Sequence, residues 1–236
     1  MSNHRRLIYN PFSNLITTFI VFILIIVFVL VFIGLIGTAF SRIGFSSREV
    51  TILFLATFAG SFINIPIATL ESHEPVLTNA FVRVYGMTYR IPPISEESKK
   101  TVIAVNLGGA LIPIAVSMYL LFKFPDIIPF AALGVLVVSF ISHLVSKPVK
   151  GVGIVSPALI SPIAAAIFSI AISVEFLIAN ETFVLAYVCG VLGTLIGADI
   201  SNLGKIKRIG APIASIGGAG TFDGVFLSGI IAVLLA

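Results

Sequence analysis

Charge is what this chain has least of. Only 10% of its 236 residues are Asp, Glu, Lys or Arg, against 58% hydrophobic residues and a mean hydropathy of +1.16. A soluble domain carries about a quarter charged residues, so too little polar surface exists here to cover a water-soluble globule. Cysteine is nearly absent: Cys189 stands alone in an apolar run, which excludes an intramolecular disulfide and a cysteine-based metal site. His4, His73 and His143 are too scattered to form a metal motif, and no phosphate loop or Ser-His nucleophile pattern occurs. Neither a metal nor another cofactor is expected. With no basic stripe interleaved with aromatics, the net charge of +4 carries no nucleic-acid signal.

What is present is a series of long apolar runs, and they predict an all-α, polytopic membrane protein forming one integral membrane domain over residues 1–236. Cut at charges and prolines, the runs fall at about 15–40, 50–70, 101–122, 127–145, 154–178, 182–203 and 219–236, which is seven spans. The first is too long for the apolar region of a signal peptide and reads as a retained helix. With the N-terminus inside, Arg5, Arg6, Arg83, Arg90, Lys99, Lys100, Lys147, Lys150, Lys205, Lys207 and Arg208 are cytoplasmic. Only Arg42, Arg48 and Lys123 are outside. Eleven against three is a positive-inside asymmetry that predicts an outside C-terminus and a multi-pass cell-membrane protein.

Residues 71–100 form a polar cytoplasmic insert, in which Phe81 to Tyr85, Gly86 and Met87 to Ile91 alternate like a small β-hairpin. It reads either as a solvated connector or as an edge that pairs with an extended peptide. The tripeptide Pro-Ile-Ala recurs at Pro66, Pro113, Pro162 and Pro212, at intervals of 47, 49 and 50 residues. Ile and Ala are abundant enough for coincidence to produce this.

The predicted orientation gathers the intramembrane polar residues into the cytoplasmic half: Asn64, Asn106, His143, Ser156, Ser161, Asp199, Asn202 and Asp223. Ionisable groups at such depth are costly and face a cavity, a partner or a pathway. Asn64 and Asn106 also suit backbone groups freed by nearby Pro and Gly, and the serines suit bonds to their own helices. Asp199 is harder to account for structurally, since it lies toward the negative end of its helix. Asp223 suits a helix start as a cap. Gly190, Gly193 and Gly197 form a seam on span six, and Gly220, Gly224 and Ser228 flank Asp223 on one face of span seven; such a smooth face admits close approach of a backbone or substrate. On a regular helix Asp199 lies away from the seam. Either span six packs its glycines behind a cavity that Asp199 lines, or the helix unwinds after Gly197.

Gly193-Thr-Leu-Ile-Gly-Ala-Asp199, the following Ile-Ser-Asn202, and Gly217-Gly-Ala-Gly-Thr-Phe-Asp223-Gly-Val-Phe-Leu-Ser-Gly229 resemble a bacterial and archaeal membrane family catalogued as domain of unknown function 1614. Asn106-Leu-Gly-Gly-Ala110 and Gly151-Val-Gly-Ile154 fit it as well, and the resemblance runs from about Gly60 onward. It implies a polytopic membrane protein and brings no established activity. A looser likeness is to the intramembrane aspartyl proteases of the presenilin and signal peptide peptidase group, in which two aspartates on consecutive spans lie toward the cytoplasm. Gly218-Ala-Gly220 is similar to part of that group's Gly-x-Gly-Asp motif, but Thr221-Phe222 intervenes before Asp223 and no Tyr-Asp precedes the loop. Pro157-Ala-Leu159 matches a third motif in the wrong chain order.

Three functions remain open at this point. Asp199 and Asp223 are the candidate catalytic pair of an intramembrane aspartyl hydrolase, supported by Asn64, Asn106, His143, Ser156 and Asn202, with Gly193, Gly197, Gly218, Gly220 and Gly224 as close-approach positions. The same layer suits a transporter or channel for a cation, proton or small solute, or a non-catalytic scaffold. The hydrolase is favoured by a small margin. The expected partners are the lipid bilayer and either a transmembrane peptide or a small ion or solute.

Overall fold

A computed structural model describes residues 14–71, 81–85, 87–90, 100–149, 153–176, 178, 181–208, 213–218 and 224–236. These residues include seven α-helices and a small amount of sheet. In chain order the elements are α1 (Asn14–Arg42), α2 (Ser47–Gly60), β1 (Asn64–Glu71), β2 (Phe81–Val84), β3 (Met87–Arg90), β4 (Lys100–Asn106), α3 (Ile112–Lys123), α4 (Ile128–Val145), β5 (Lys147–Val149), β6 (Gly153–Val155), α5 (Ile160–Phe176), α6 (Thr182–Thr194), β7 (Ile213–Ile216) and α7 (Gly224–Leu235). Among the described residues three helical stretches are long and apolar enough to cross a membrane: Ile16–Arg42, Pro125–Val145 and Thr182–Ile206.

Helix starts follow local chemistry. Ser46 caps α2 in a capping box with Glu49, while α3 and α4 carry proline in their first turn, where the missing N–H costs nothing. Side-chain contacts fix the directions. Gly134 approaches Cys189 and Gly193 approaches Val138, so α4 and α6 run parallel. Ser142 meets Ser161 and Phe130 meets Phe176, which sets α5 antiparallel to α4. Thr194 bonds Ser228, and Gly190 lies against Ser228 and Ala232, which makes α7 antiparallel to α6. At the far end Arg42 donates to the Val233 and Leu234 carbonyls. The core of the bundle is α6, whose residues from Val184 to Val191 are all buried.

The sheet differs from the sequence reading. Strand β1 pairs antiparallel with β4, and β4 pairs parallel with β7, in the order β1-β4-β7. Residues 64–70, expected within span two, are therefore strand, and α2 contains only 14 residues. At 1.5 Å per residue that is about 21 Å, short of the roughly 30 Å of hydrocarbon. Span three, expected from 101, begins as strand β4 and becomes helical at Leu107. Expected span five likewise starts later, since Ile154 and Val155 lie in β6 and α5 begins at Ile160; within expected span seven α7 covers Gly224–Leu235, and residues 219–223 lie outside the described residues. An open strand edge needs partners for its backbone that hydrocarbon does not provide, so the strand residues do not fit the membrane spans expected for them.

The predicted hairpin is present: Phe81 to Val84 pairs with Met87 to Arg90. A second hairpin, β5–β6, joins α4 to α5. The Pro-Ile-Ala echo marks no structural repeat. Its described copies fall in strand β1 and in the first turns of α3 and α5, while Pro212 lies outside the described residues.

Candidate functional site at the sheet end

Four interruptions of helix converge at the sheet end. Helix α2 stops at Gly60, and α3 is preceded by a wide π turn over Leu107–Leu111. Helix α6 widens into a π turn over Leu195–Asp199 and then tightens into a 3₁₀ segment, Ile200–Arg208. Strand β7 leads to Gly217 and Gly218, both in the left-handed region at φ 76° and 84°. After Gly197 the helix changes pitch and does not unwind. Single π turns inside helices occur frequently at functional sites because they redirect side chains.

Asp199, half-buried at the end of the α6 π turn, accepts a hydrogen bond through Oδ2 from the backbone N–H of Gly217 at 2.8 Å. That bond joins the end of α6 to the glycine turn before α7. The turn itself is seated tightly: a Cβ on Gly109 would lie 2.0 Å from the Gly217 carbonyl oxygen, and one on Gly217 would lie 2.5 Å from the Ala110 Cβ. Gly217 therefore needs its glycine twice, for its backbone angle and for its contact with the α3 π turn. Asp223 and Gly220 lie outside the described residues.

Asn106 is wholly buried and organises the entry to α3. Its Oδ1 accepts from Gly109 N at 2.6 Å, and its Nδ2 donates to the Ser61 carbonyl at 2.8 Å and to Asn64 Oδ1 at 3.1 Å. All its strong polar capacity is committed to backbone and to one neighbour, so it acts as a helix cap and clamp. Asn64 is exposed at the start of β1, and its Oδ1 also accepts from Ser215 Oγ at 2.6 Å. Ser215 stands two residues before Gly217. The sheet thus connects Asp199, through Gly217 and Ser215, to Asn64 and Asn106.

The remaining polar residues form a separate group where α4, α5 and α6 meet. His143 Nδ1 lies 2.6 Å from Ser201 Oγ, whose own hydroxyl donates to the Gly197 carbonyl, so the imidazole N–H is the donor to Ser201. Asn202, wholly buried, donates to the Ala198 carbonyl at 2.8 Å and accepts from Lys205 Nζ at 2.7 Å. It closes the end of the α6 helix. Ser156 Oγ, in the link between β6 and α5, is buried without a hydrogen-bond partner among the described residues. Among the described residues no three His, Cys, Asp or Glu side chains cluster as a metal site.

The glycines divide. Gly197 and Gly193 face α4, where an added Cβ would lie 2.2 Å from the Ser139 carbonyl oxygen and 2.6 Å from Val138 Cβ. Gly190 faces α7 instead, so the seam read from the sequence serves two different neighbours. A Cβ on Gly224 would meet nothing within 4 Å among the described residues, in contrast to its expected role as a close-approach position.

Two participants were not anticipated from the sequence, the Ser61 carbonyl and Ser215. The β-branched content of Ile65, Ile67 and Thr69, and of Thr101, Val102, Ile103 and Val105, is the signal that could have revealed β1 and β4, the strands against which both are set.

Residues 58–235 match the family described as "Protein of unknown function (DUF1614)". No curated protein and no solved structure matches the chain. The likeness to presenilin-type proteases therefore rests on residue pattern alone.

Proposed function

The chain belongs to this family, and we propose that it is a multi-pass membrane hydrolase whose reacting groups are the carboxylates of Asp199 and Asp223. The observation that carries the reading is the bond from Gly217 to Asp199, which ties the segment leading to Asp223 to the end of α6. Chain register supports it. Thr194 and Ser228 bond across antiparallel α6 and α7 at 2.8 Å. Asp199 and Asp223 are each five residues from that contact, in the chain direction that leads to the sheet. Two carboxylates brought close do not both ionise readily. One then takes a proton from water while the protonated partner polarises the scissile carbonyl.

The substrate class in this reading is an extended peptide. Strand β1 is paired with β4 on one edge and has no strand on its other edge among the described residues. Asn64, at its start, is linked through Ser215 to the Asp199–Gly217 turn. An open edge beside a reactive centre aligns an extended chain by its backbone. In the same reading the chain crosses the cell membrane seven times with the sheet end in the cytoplasm, supported by the eleven-to-three division of basic residues.

The test is cleavage of a pool of quenched apolar peptides by protein in proteoliposomes, comparing wild type with Asp199→Asn and Asp223→Asn. Loss of at least about a hundredfold in each variant is expected, the usual scale of acid–base catalysis. Activity retained in either variant overturns the proposal.

One feature favours transport as a second reading: α3 and α6 both break into π turns at the same end, as helices do around solute sites. Its test is cation or proton flux into sealed liposomes that depends on Asp199.

A further inference from the structure

We propose that the outer groove between α4 and α5 binds an anionic phospholipid, with an acyl chain along the groove and the headgroup beside Lys147. The groove is open on its outer side, measures about 580 Å³ and is lined by Val137 and Ile141 of α4 and by Ile160, Ala164, Ile167 and Phe168 of α5. Its lining carries no charged side chain, and its size lies within the roughly 300–1,000 Å³ range of ligand clefts. One wall, α4, lies in a stretch long and apolar enough to cross a membrane and the other, α5, is a shorter apolar helix, so the occupant that suits the groove is hydrocarbon.

The choice of headgroup comes from the end of the groove. The two walls are joined by the β5–β6 hairpin, whose first residue is Lys147, six positions beyond Ile141. Lys147 is exposed, and its ammonium lies 5.2 Å from the centre of the Tyr85 ring. No carboxylate among the described residues pairs with it. Tyr85, at the turn of the β2–β3 hairpin, donates its hydroxyl proton to the Val145 carbonyl, and Ser146 Oγ donates to the Ser142 carbonyl. Carbonyls at the end of α4, which would repel an anion, are thereby occupied. On the other wall α5 begins at Ile160, so the groove ends at the N-terminus of a 17-residue helix, where backbone N–H groups and the helix dipole favour negative charge. A cation on one side, a helix N-terminus on the other and an apolar channel between them match a phosphate head on a hydrocarbon tail. Basic pockets at helix ends recognise such lipids.

The absence of tryptophan from the sequence provides the readout. Ile167→Trp places a fluorophore on the groove wall, at a side chain 63% exposed, and Leu24→Trp places one on the exposed flank of α1, at 61%. Each full-length variant is reconstituted in phosphatidylcholine nanodiscs with a small mole fraction of brominated phosphatidylglycerol or brominated phosphatidylcholine. In the Ile167→Trp protein, quenching by the brominated phosphatidylglycerol is expected to need about five-fold less lipid than quenching by the brominated phosphatidylcholine. The Leu24→Trp protein should not distinguish them. Adding Lys147→Gln to Ile167→Trp should abolish the preference. Equal quenching at position 167, a preference shared by position 24, or a preference that survives Lys147→Gln each overturns the proposal.

Discussion

Asp199 and Gly217, 18 residues apart in the chain, are joined from carboxylate oxygen to backbone N–H at 2.8 Å. The carboxylate thereby holds the end of α6 against the turn before α7. Its acceptor role and its proposed chemical role can be separated by substitution. Asparagine retains an oxygen that can accept from Gly217, whereas alanine leaves a buried N–H without its partner, at about 1–3 kcal/mol. Asp199→Ala is therefore expected to lower unfolding stability by that amount and Asp199→Asn by less, in denaturant titration. Equal losses would show that the bond contributes nothing.

Asn106 spans β4, α2 and the α3 π turn with three hydrogen bonds. Asn106→Ala strips a partner from Gly109 N and from the Ser61 carbonyl, each worth about 1–3 kcal/mol when buried. Asn106→Asp keeps the acceptor to Gly109 and loses the donor to Ser61. The new carboxylate oxygen would also face the Ser61 carbonyl and Asn64 Oδ1 in a buried site, so both variants are expected to be less stable than wild type in denaturant titration. Alanine matching wild type would remove Asn106 from the architecture.

Gly197 and Gly224 should respond oppositely to alanine. At Gly197 the new Cβ would lie 2.2 Å from the Ser139 carbonyl oxygen, which is backbone and yields little. Gly197→Ala is expected to destabilise by about 1–3 kcal/mol through overpacking. Gly224 starts α7 with open space around it among the described residues, so Gly224→Ala should be neutral or slightly stabilising, by up to about 1 kcal/mol. Thermal melts of the two variants settle it.

The proposed topology has a labelling signature. Cys189 is fully buried, so it should resist maleimide in the folded protein and react once the chain is unfolded in detergent. Against that silent background, Arg83→Cys should label only from the cytoplasmic side and Ser46→Cys only from the outside. Labelling of both from one side would break the seven-span arrangement.

The hairpin and the helical bulk were legible because their periods differ from everything around them. Phe81 to Arg90 alternates about a glycine, and the longest runs exceed any strand. The β1-β4-β7 sheet was not legible for a physical reason. Asn64 to Leu70 and Thr101 to Val105 are apolar and adjoin helical runs, so hydropathy merges them with spans two and three. At the site, the position of Asp199 toward the end of its helix could be read from its neighbours. Its partner could not, because Gly217 contributes only a backbone N–H, and the turn that presents it depends on contact with Gly109 and Ala110. Asn106 was recognised as buried and polar, while its commitment to Ser61 required knowing that α2 stops at Gly60.

The parallel pairing of β4 with β7 also sets an order of events during synthesis. Val102 partners Ile213 and Val105 partners Ile216, so every pair in this ladder is separated by 111 residues. Strand β1, by contrast, meets β4 across a much shorter stretch, from Leu70 to Thr101 at its near end. A ribosome therefore releases β1 and β4 together, and they can pair while α3 to α6 have yet to be made. The seat beside β4 stays vacant until four helices have emerged and packed, and only then can β7 enter and carry Gly217 to Asp199. Long-range pairings of this kind form late. The bond between Gly217 and Asp199 is consequently among the last contacts the nascent chain completes, and a protein stalled before α6 would hold a formed β1–β4 pair without it.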